Sequence, residues 1–102
     1  MLYISIFDAK ENVSRTDINR ERAEWIKKDM DKLLQQRCKT IRRYEVLGRS
    51  PLKIFFMIDT DDSTALNLLT TYFGDAWNSI TYPVIQREIA DALEEDHTVI
   101  GG

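Results

Sequence analysis

The sequence predicts an α+β fold: a βαββαβ sandwich built on a four-stranded antiparallel sheet with its helices on one side, followed by a C-terminal helical extension. Three observations predict it. Tyr44 to Leu69 (YEVLGRSPLKIFFMIDTDDSTALNLL) reads as strand, tight turn, strand, acidic helix start and helix. Leu2 to Phe7 (LYISIF) alternates with the two-residue period of a strand and precedes a long stretch with helical spacing. A further strand-like segment follows Gly74 and gives way, near Pro83, to apolar residues four apart. The 102 residues suit one domain, spanning 1–102.

In the first strand Leu2, Ile4 and Ile6 fall on one side, and Tyr3, Ser5 and Phe7 on the other. The Leu2 set is expected to face the helices. Ser14, three residues before Asp17, has the spacing of a helix cap, because its hydroxyl can accept from the free N–H of the first turn. The helix that follows runs to about Arg37, with Ile18, Trp25, Ile26, Met30, Leu33 and Leu34 as its apolar stripe. Thr40 to Leu47 and Leu52 to Asp59 are the second and third strands. Gly48-Arg49-Ser50-Pro51 makes the hairpin turn between them, since Gly accepts unusual backbone angles and Pro cannot donate to a ladder.

Thr60, Asp61 and Asp62 lead into a second helix, with Ala65, Leu66, Leu69, Tyr72 and Phe73 on one face and Gly74 as its stop. A fourth strand runs from Ser79 to about Val84. Ile85, Ile89 and Leu93 then predict a third helix to about Glu95, and His97 to Gly102 are expected as a short strand or a loose tail.

Composition narrows the function classes. One cysteine, Cys38, excludes an internal disulfide and suits a reducing compartment. With no basic-plus-apolar leader and no apolar run of membrane-spanning length, a cytoplasmic location is expected. The net charge of −3 is unevenly spread: residues 14–53 carry +6 and residues 54–102 carry −8. Overall negative charge opposes phosphate binding, so nucleic acid is not an expected partner.

The expected packing is the ferredoxin-like one, with strands in the spatial order 4-1-3-2. A turn that pairs Leu47 with Leu52 puts Arg42, Tyr44 and Val46 on the same face as Lys53, Phe55, Met57 and Asp59, opposite the helices. With Tyr3, Ser5 and Phe7 added, that face is rich in apolar side chains where a solvated sheet alternates to polar ones. A soluble monomer seldom leaves such a patch bare, so a partner or ligand is expected on it.

Tyr44-Glu45-Val46-Leu47-Gly48-Arg49, the apolar strand Leu52 to Ile58, Asp59, Asp61, Asp62 and Ala65 together resemble the dimeric α/β-barrel superfamily, and within it the small Gly-Tyr-Asp-type families. Met1-Leu2-Tyr3 is similar to the opening of another family of that superfamily. The name-giving turn is replaced here by Gly48-Arg49-Ser50-Pro51. The resemblance implies a homodimer with a cavity between paired sheets. It implies no particular reaction, because that superfamily mixes monooxygenases, isomerases and haem enzymes with proteins of other roles.

The candidate ligand-binding residues are therefore Tyr3, Ser5, Arg42, Tyr44, Lys53, Phe55, Met57 and Asp59. Arg42 and Lys53 suit a carboxylate or enolate, and Tyr3, Tyr44 or Ser5 would orient it. The simpler reading makes the same charges ion pairs between two copies. Other candidates also have simpler readings. His97 is the only histidine and reads as an exposed tail residue. Cys38 reads as a small packing residue. Asp59, Asp61 and Asp62 read as helix-capping acids, not metal ligands. The third strand lacks the RNA-binding pattern that would put base-stacking aromatics on a sheet. The terminal Gly101-Gly102 resembles ubiquitin-like carriers, but those begin with a hairpin and this chain with strand and helix. No cofactor or metal set is expected. The expectation is a homodimer, or a larger ring, that binds a small molecule between its sheets; the alternative is a cofactor-free monooxygenase or isomerase acting on a small acidic or aromatic substrate.

Overall fold

The computed structural model, which describes residues 1–48 and 52–101, keeps the expected βαββαβα order but divides its first helix, giving eight elements. They are β1 (Leu2–Ala9), α1 (Arg15–Lys27), α2 (Met30–Arg37), β2 (Thr40–Glu45), β3 (Lys53–Asp59), α3 (Thr64–Tyr72), β4 (Trp77–Val84) and α4 (Ile89–Ile100). The sheet is antiparallel, with order β2-β3-β1-β4. This is the sequence-based order. Beyond Gly48 the expected hairpin turn lies outside the described residues. Its register is nevertheless visible on both sides: Glu45 pairs with Ile54, and the Val46 N–H donates to the Lys53 carbonyl at 3.1 Å.

Helix starts follow local chemistry. Ser14 Oγ accepts from the Asp17 N–H at 3.1 Å, the expected cap of α1. The expected single helix is two. Asp29 takes a left-handed conformation (φ 55°, ψ 40°) that breaks the run between α1 and α2. Asp tolerates that region better than most residues, and the polar stretch Lys27-Lys28-Asp29 has no apolar side chain to hold it to the core. Trp25 Nε1 donates to Asp31 Oδ1 at 2.7 Å across the break. The break turns Met30 and Leu34 into the core, while Ile26, expected in the stripe, is left exposed.

The core is an aromatic cluster under the helices. Phe7 meets Phe56 edge-on at 5.5 Å and Phe73 at 4.4 Å, and Phe73 also touches Trp25 and Trp77 at 5.5 and 5.3 Å. Ala65 and Leu69 of α3 are fully buried beside it. After α3 the chain turns at Gly74 (φ 118°), where a Cβ would run into the Glu21 carboxylate. That carboxylate accepts from the Ala76 N–H at 3.2 Å, tying α1 to the entry of β4.

This cluster overturns the expected facing of β1. Tyr3, Ser5, Phe7 and Ala9 lie toward the helices, and Leu2, Ile4 and Ile6 lie on the opposite face. Both sets are apolar enough to be buried, so alternation alone does not choose between them. The bulk of Phe7 fills the space between Phe56 and Phe73, and Ser5 is accommodated because its hydroxyl meets that of Thr81 at 2.7 Å. Tyr3 and Ser5 therefore leave the predicted site.

The C-terminal segment also differs. The helix does not stop near Glu95 but continues to Ile100, with Gly101 N–H closing onto the His97 carbonyl at 2.8 Å. Residues 97–100 are neither a strand nor a loose tail. None of the residues of α4 is buried, and the described body measures 56 × 31 × 18 Å.

Candidate functional site: the open face of the sheet

Residues paired across antiparallel strands share a face, so the register assembles the site row by row. One row runs Arg42–Met57–Ile4–Tyr82 across the four strands, and the next runs Tyr44–Phe55–Ile6–Ile80. Thr40–Asp59–Leu2–Val84 closes one end. Lys53, Asp8 and Asn78 close the other. The result is an apolar centre two rows deep, with charge at its ends and along the β2 edge. Among the described residues no helix is packed over it, and Tyr44, Ile80 and Tyr82 are about half exposed, at 52%, 48% and 47%.

Of the eight residues predicted for the site, Arg42, Tyr44, Lys53, Phe55, Met57 and Asp59 share this face. Tyr3 and Ser5 do not. Their places are taken by Leu2, Ile4 and Ile6, and β4 adds Ile80, Tyr82 and Val84. The β4 contribution was readable from the alternation Ile80, Tyr82, Val84, which has the strand period.

The charged groups on the face are placed for different tasks. Lys53 Nζ lies 3.7 Å from Asp8 Oδ1 and 5.5 Å from the Phe55 ring centre, so its ammonium is held against an aromatic face. Asp59 Oδ1 lies 3.4 Å from the Met1 ammonium. Arg42 has no carboxylate partner among the described residues. It lines a recess of about 370 Å³ with Leu2, Tyr44, Met57, Asp59 and Gln86. That recess can offer a guanidinium, a phenol and an apolar wall to a small anion.

The remaining sequence candidates have structural roles. Asp62 Oδ1 accepts from the Thr64 N–H at 3.0 Å and from Thr64 Oγ1 at 2.5 Å, which holds its carboxyl below the ordinary Asp range. Asp61 is lowered likewise, first by Lys39 Nζ at 3.1 Å and then by the Met1 ammonium at 3.3 Å. These acids organise the β3–α3 junction. Among the described residues no set of His, Cys, Asp and Glu has the grouping of a metal site. Burial pushes the Cys38 thiol up, against the lowering effect of Thr60, so its thiolate is disfavoured at neutral pH. Among the described residues no helix is long and apolar enough to cross a membrane.

No family model and no curated protein matches the chain. Solved structures do. A dimeric ferredoxin-like protein from an uncultured marine organism superposes with a TM-score of 0.52 at 9% identity, covering 86% of this chain and 96% of that one. A candidate antibiotic-biosynthesis monooxygenase from Deinococcus radiodurans gives a TM-score of 0.43 at 10% identity, with 86% and 96% covered. A protein from Arabidopsis thaliana gives 0.40 at 14% identity, with 85% and 99% covered. At these identities the likeness concerns the fold. Strand order, antiparallel register and the first of these superpositions agree: the chain is a four-stranded antiparallel α+β protein of the ferredoxin-like fold.

Proposed function

We propose that the chain works as a homodimer paired through the open face of its sheet, and that a small anionic or aromatic molecule binds between the two sheets. One observation carries this: the rows Arg42–Met57–Ile4–Tyr82 and Tyr44–Phe55–Ile6–Ile80 form an apolar centre with no element over it among the described residues. Covering apolar area returns about 25 cal/mol per Å² removed from water, and the two central rows alone contain five aliphatic or Phe side chains. The marine ferredoxin-like structure with the same fold is named as dimeric, which supports the reading. So does the residue pattern shared with the Gly-Tyr-Asp-type families of the dimeric α/β-barrel superfamily. Arg42, lining the recess, is the anion holder in this reading, with Lys53 at the far end of the face and Tyr44 beside the apolar centre.

Light scattering tests the pairing. The wild-type protein is expected to be a dimer at micromolar concentration, and Ile4→Lys and Met57→Lys are expected to be folded monomers, because each buries a charge at the centre of the interface. A wild-type monomer would sink the proposal. Benzoate, titrated by calorimetry, tests the ligand site: Arg42→Ala should weaken it about tenfold, the loss of one charge-assisted hydrogen bond. Unchanged affinity would remove Arg42 from the site. The alternative, cofactor-free monooxygenase or isomerase chemistry, places its substrate in the same space, and the same Arg42→Ala variant tests it by turnover.

A further inference from the structure

The sheet face is not the only apolar surface left uncovered. Ile89, Leu93, Val99 and Ile100 of α4 are 65–84% exposed. At 3.6 residues per turn they lie with Ala92 along one side of the helix. Asp96 falls on that same side, one turn from Leu93 and from Ile100, with the Arg87 guanidinium at 3.7 Å, longer than its 2.7 Å contact to Glu95, so docking would exchange a loose partner for a new one. An amphipathic helix with a carboxylate set inside its apolar stripe is complementary to an apolar groove with a cation inside it.

Such a groove lies on the helix side of the sheet, between α1 and the β2–β3 end. A recess of about 420 Å³ there has Ile18, Leu47 and Trp77 among its apolar walls and Arg15, Arg22 and Arg43 among its polar ones. A second recess continues it to Ile26 and shares Arg22, Arg43 and Trp77. Arg43 is held by Glu45 at 2.6 Å, whereas Arg15 and Arg22 have no carboxylate partner among the described residues. Leu47 and Ile26, at the two ends, are 91% and 70% exposed. Lengths agree as well. From Arg15 to Ile26 the groove follows roughly 17 Å of α1, and the twelve residues of α4 span roughly 18 Å.

Topology says whose groove it is. α4 leaves from the Val84 end of β4, whereas the groove lies at the other strand ends, between α1 and the β2–β3 end, and touches β4 only at Trp77, seven residues from Val84. Only four residues, 85–88, join β4 to α4. Two sheets paired face to face lose their open edges if β4 of one copy lies beside β2 of the other. In that arrangement α4 of one copy would leave beside β2 of the second, the edge next to that copy's groove.

We propose that α4 is a docking arm that seats its Ile89–Leu93–Ile100 stripe in the α1–β2 groove of a second copy, with Asp96 paired to the partner's Arg22. This rests on the sheet-face dimer proposed above. The two copies would then exchange arms, and the acidic C-terminal half of each would meet the basic half of the other.

Cross-linking between full-length chains tests it, in a Cys38→Ser background. One chain carries Leu93→Cys, and the other carries Ile26→Cys or Asn19→Cys, positions on either side of Arg22. After mixing and mild oxidation, a covalent heterodimer is expected with at least one groove position, read by non-reducing gel and intact mass. Arg22→Glu should cut its yield several-fold, and Asp96→Arg in the arm should restore it. Light scattering on the same mixtures separates the two proposals. A dimer without the heterodimeric cross-link, or with only Leu93→Cys chains joined to each other, overturns arm docking and leaves the sheet pairing standing. A monomer overturns both.

Discussion

Ser5 Oγ and Thr81 Oγ1 lie 2.7 Å apart across the β1–β4 pair, on the helix side of the sheet. Ser5 is completely buried, so this contact is what makes a serine tolerable in the core. Thr81→Val keeps the shape of the threonine and strands the Ser5 hydroxyl. It should lower unfolding free energy by about 1–3 kcal/mol, measured by urea denaturation. Adding Ser5→Ala should recover part of that loss, since both polar groups are then gone. If the two losses simply add, the hydroxyls are not partners.

Phe55 and Phe56 are neighbours in sequence with opposite surroundings. Phe56 sits in the aromatic cluster with Phe7 and Phe73, at 5.5 and 5.7 Å, whereas Phe55 lies in the open face between Tyr44 and Ile6. Phe56→Ala should cost about 3–5 kcal/mol of fold stability at any protein concentration. Phe55→Ala should act on association, lowering the concentration-dependent midpoint of the proposed dimer with a smaller effect on the monomer. Equal, concentration-independent losses for the two variants would contradict the assigned facing.

Much of this fold was legible. Strand order, hairpin register and the helix start at Ser14 follow from alternation, turn residues and capping chemistry, all of which are local. What was not legible was non-local. Leu2/Ile4/Ile6 and Tyr3/Ser5/Phe7 are both credible core sets, and the choice is made by Phe73 and Thr81, far along the chain. For that reason six of the eight predicted site residues share the open face and two, Tyr3 and Ser5, do not. The helix break at Asp29 has no Gly or Pro to announce it. The full extent of α4 is not legible in the sequence, because the apolar residues of its second half have no core to bury them and the four-residue repeat Ile85, Ile89, Leu93 ends before them.

The acids at the β3–α3 junction give the protein a defined acid limb. The Thr64 hydrogen bonds hold Asp62 below its ordinary 3.8, and Lys39 and the Met1 ammonium do the same for Asp61. A folded-state value below the unfolded one means that the unfolded chain takes up protons first as pH falls. The contribution is therefore complete above the ordinary value and is lost as pH drops through the lowered one. Asp62→Asn keeps an acceptor for the Thr64 N–H but removes the charge. Its midpoint should lie below wild type at pH 7, and the gap should close below about pH 4. A gap that persists at about pH 2 would assign the effect to packing instead.

The placing of both tryptophans on one side of the sheet has a practical corollary. Trp25 and Trp77 both touch Phe73 inside the helix-side cluster, whereas Tyr44 and Tyr82 stand on the open face. Two chromophores therefore report on two different events in one unlabelled sample. Indole emission follows the helix side of the sheet, and the part of the phenol absorbance change that Tyr44→Phe and Tyr82→Phe abolish follows whatever comes to rest on the open face.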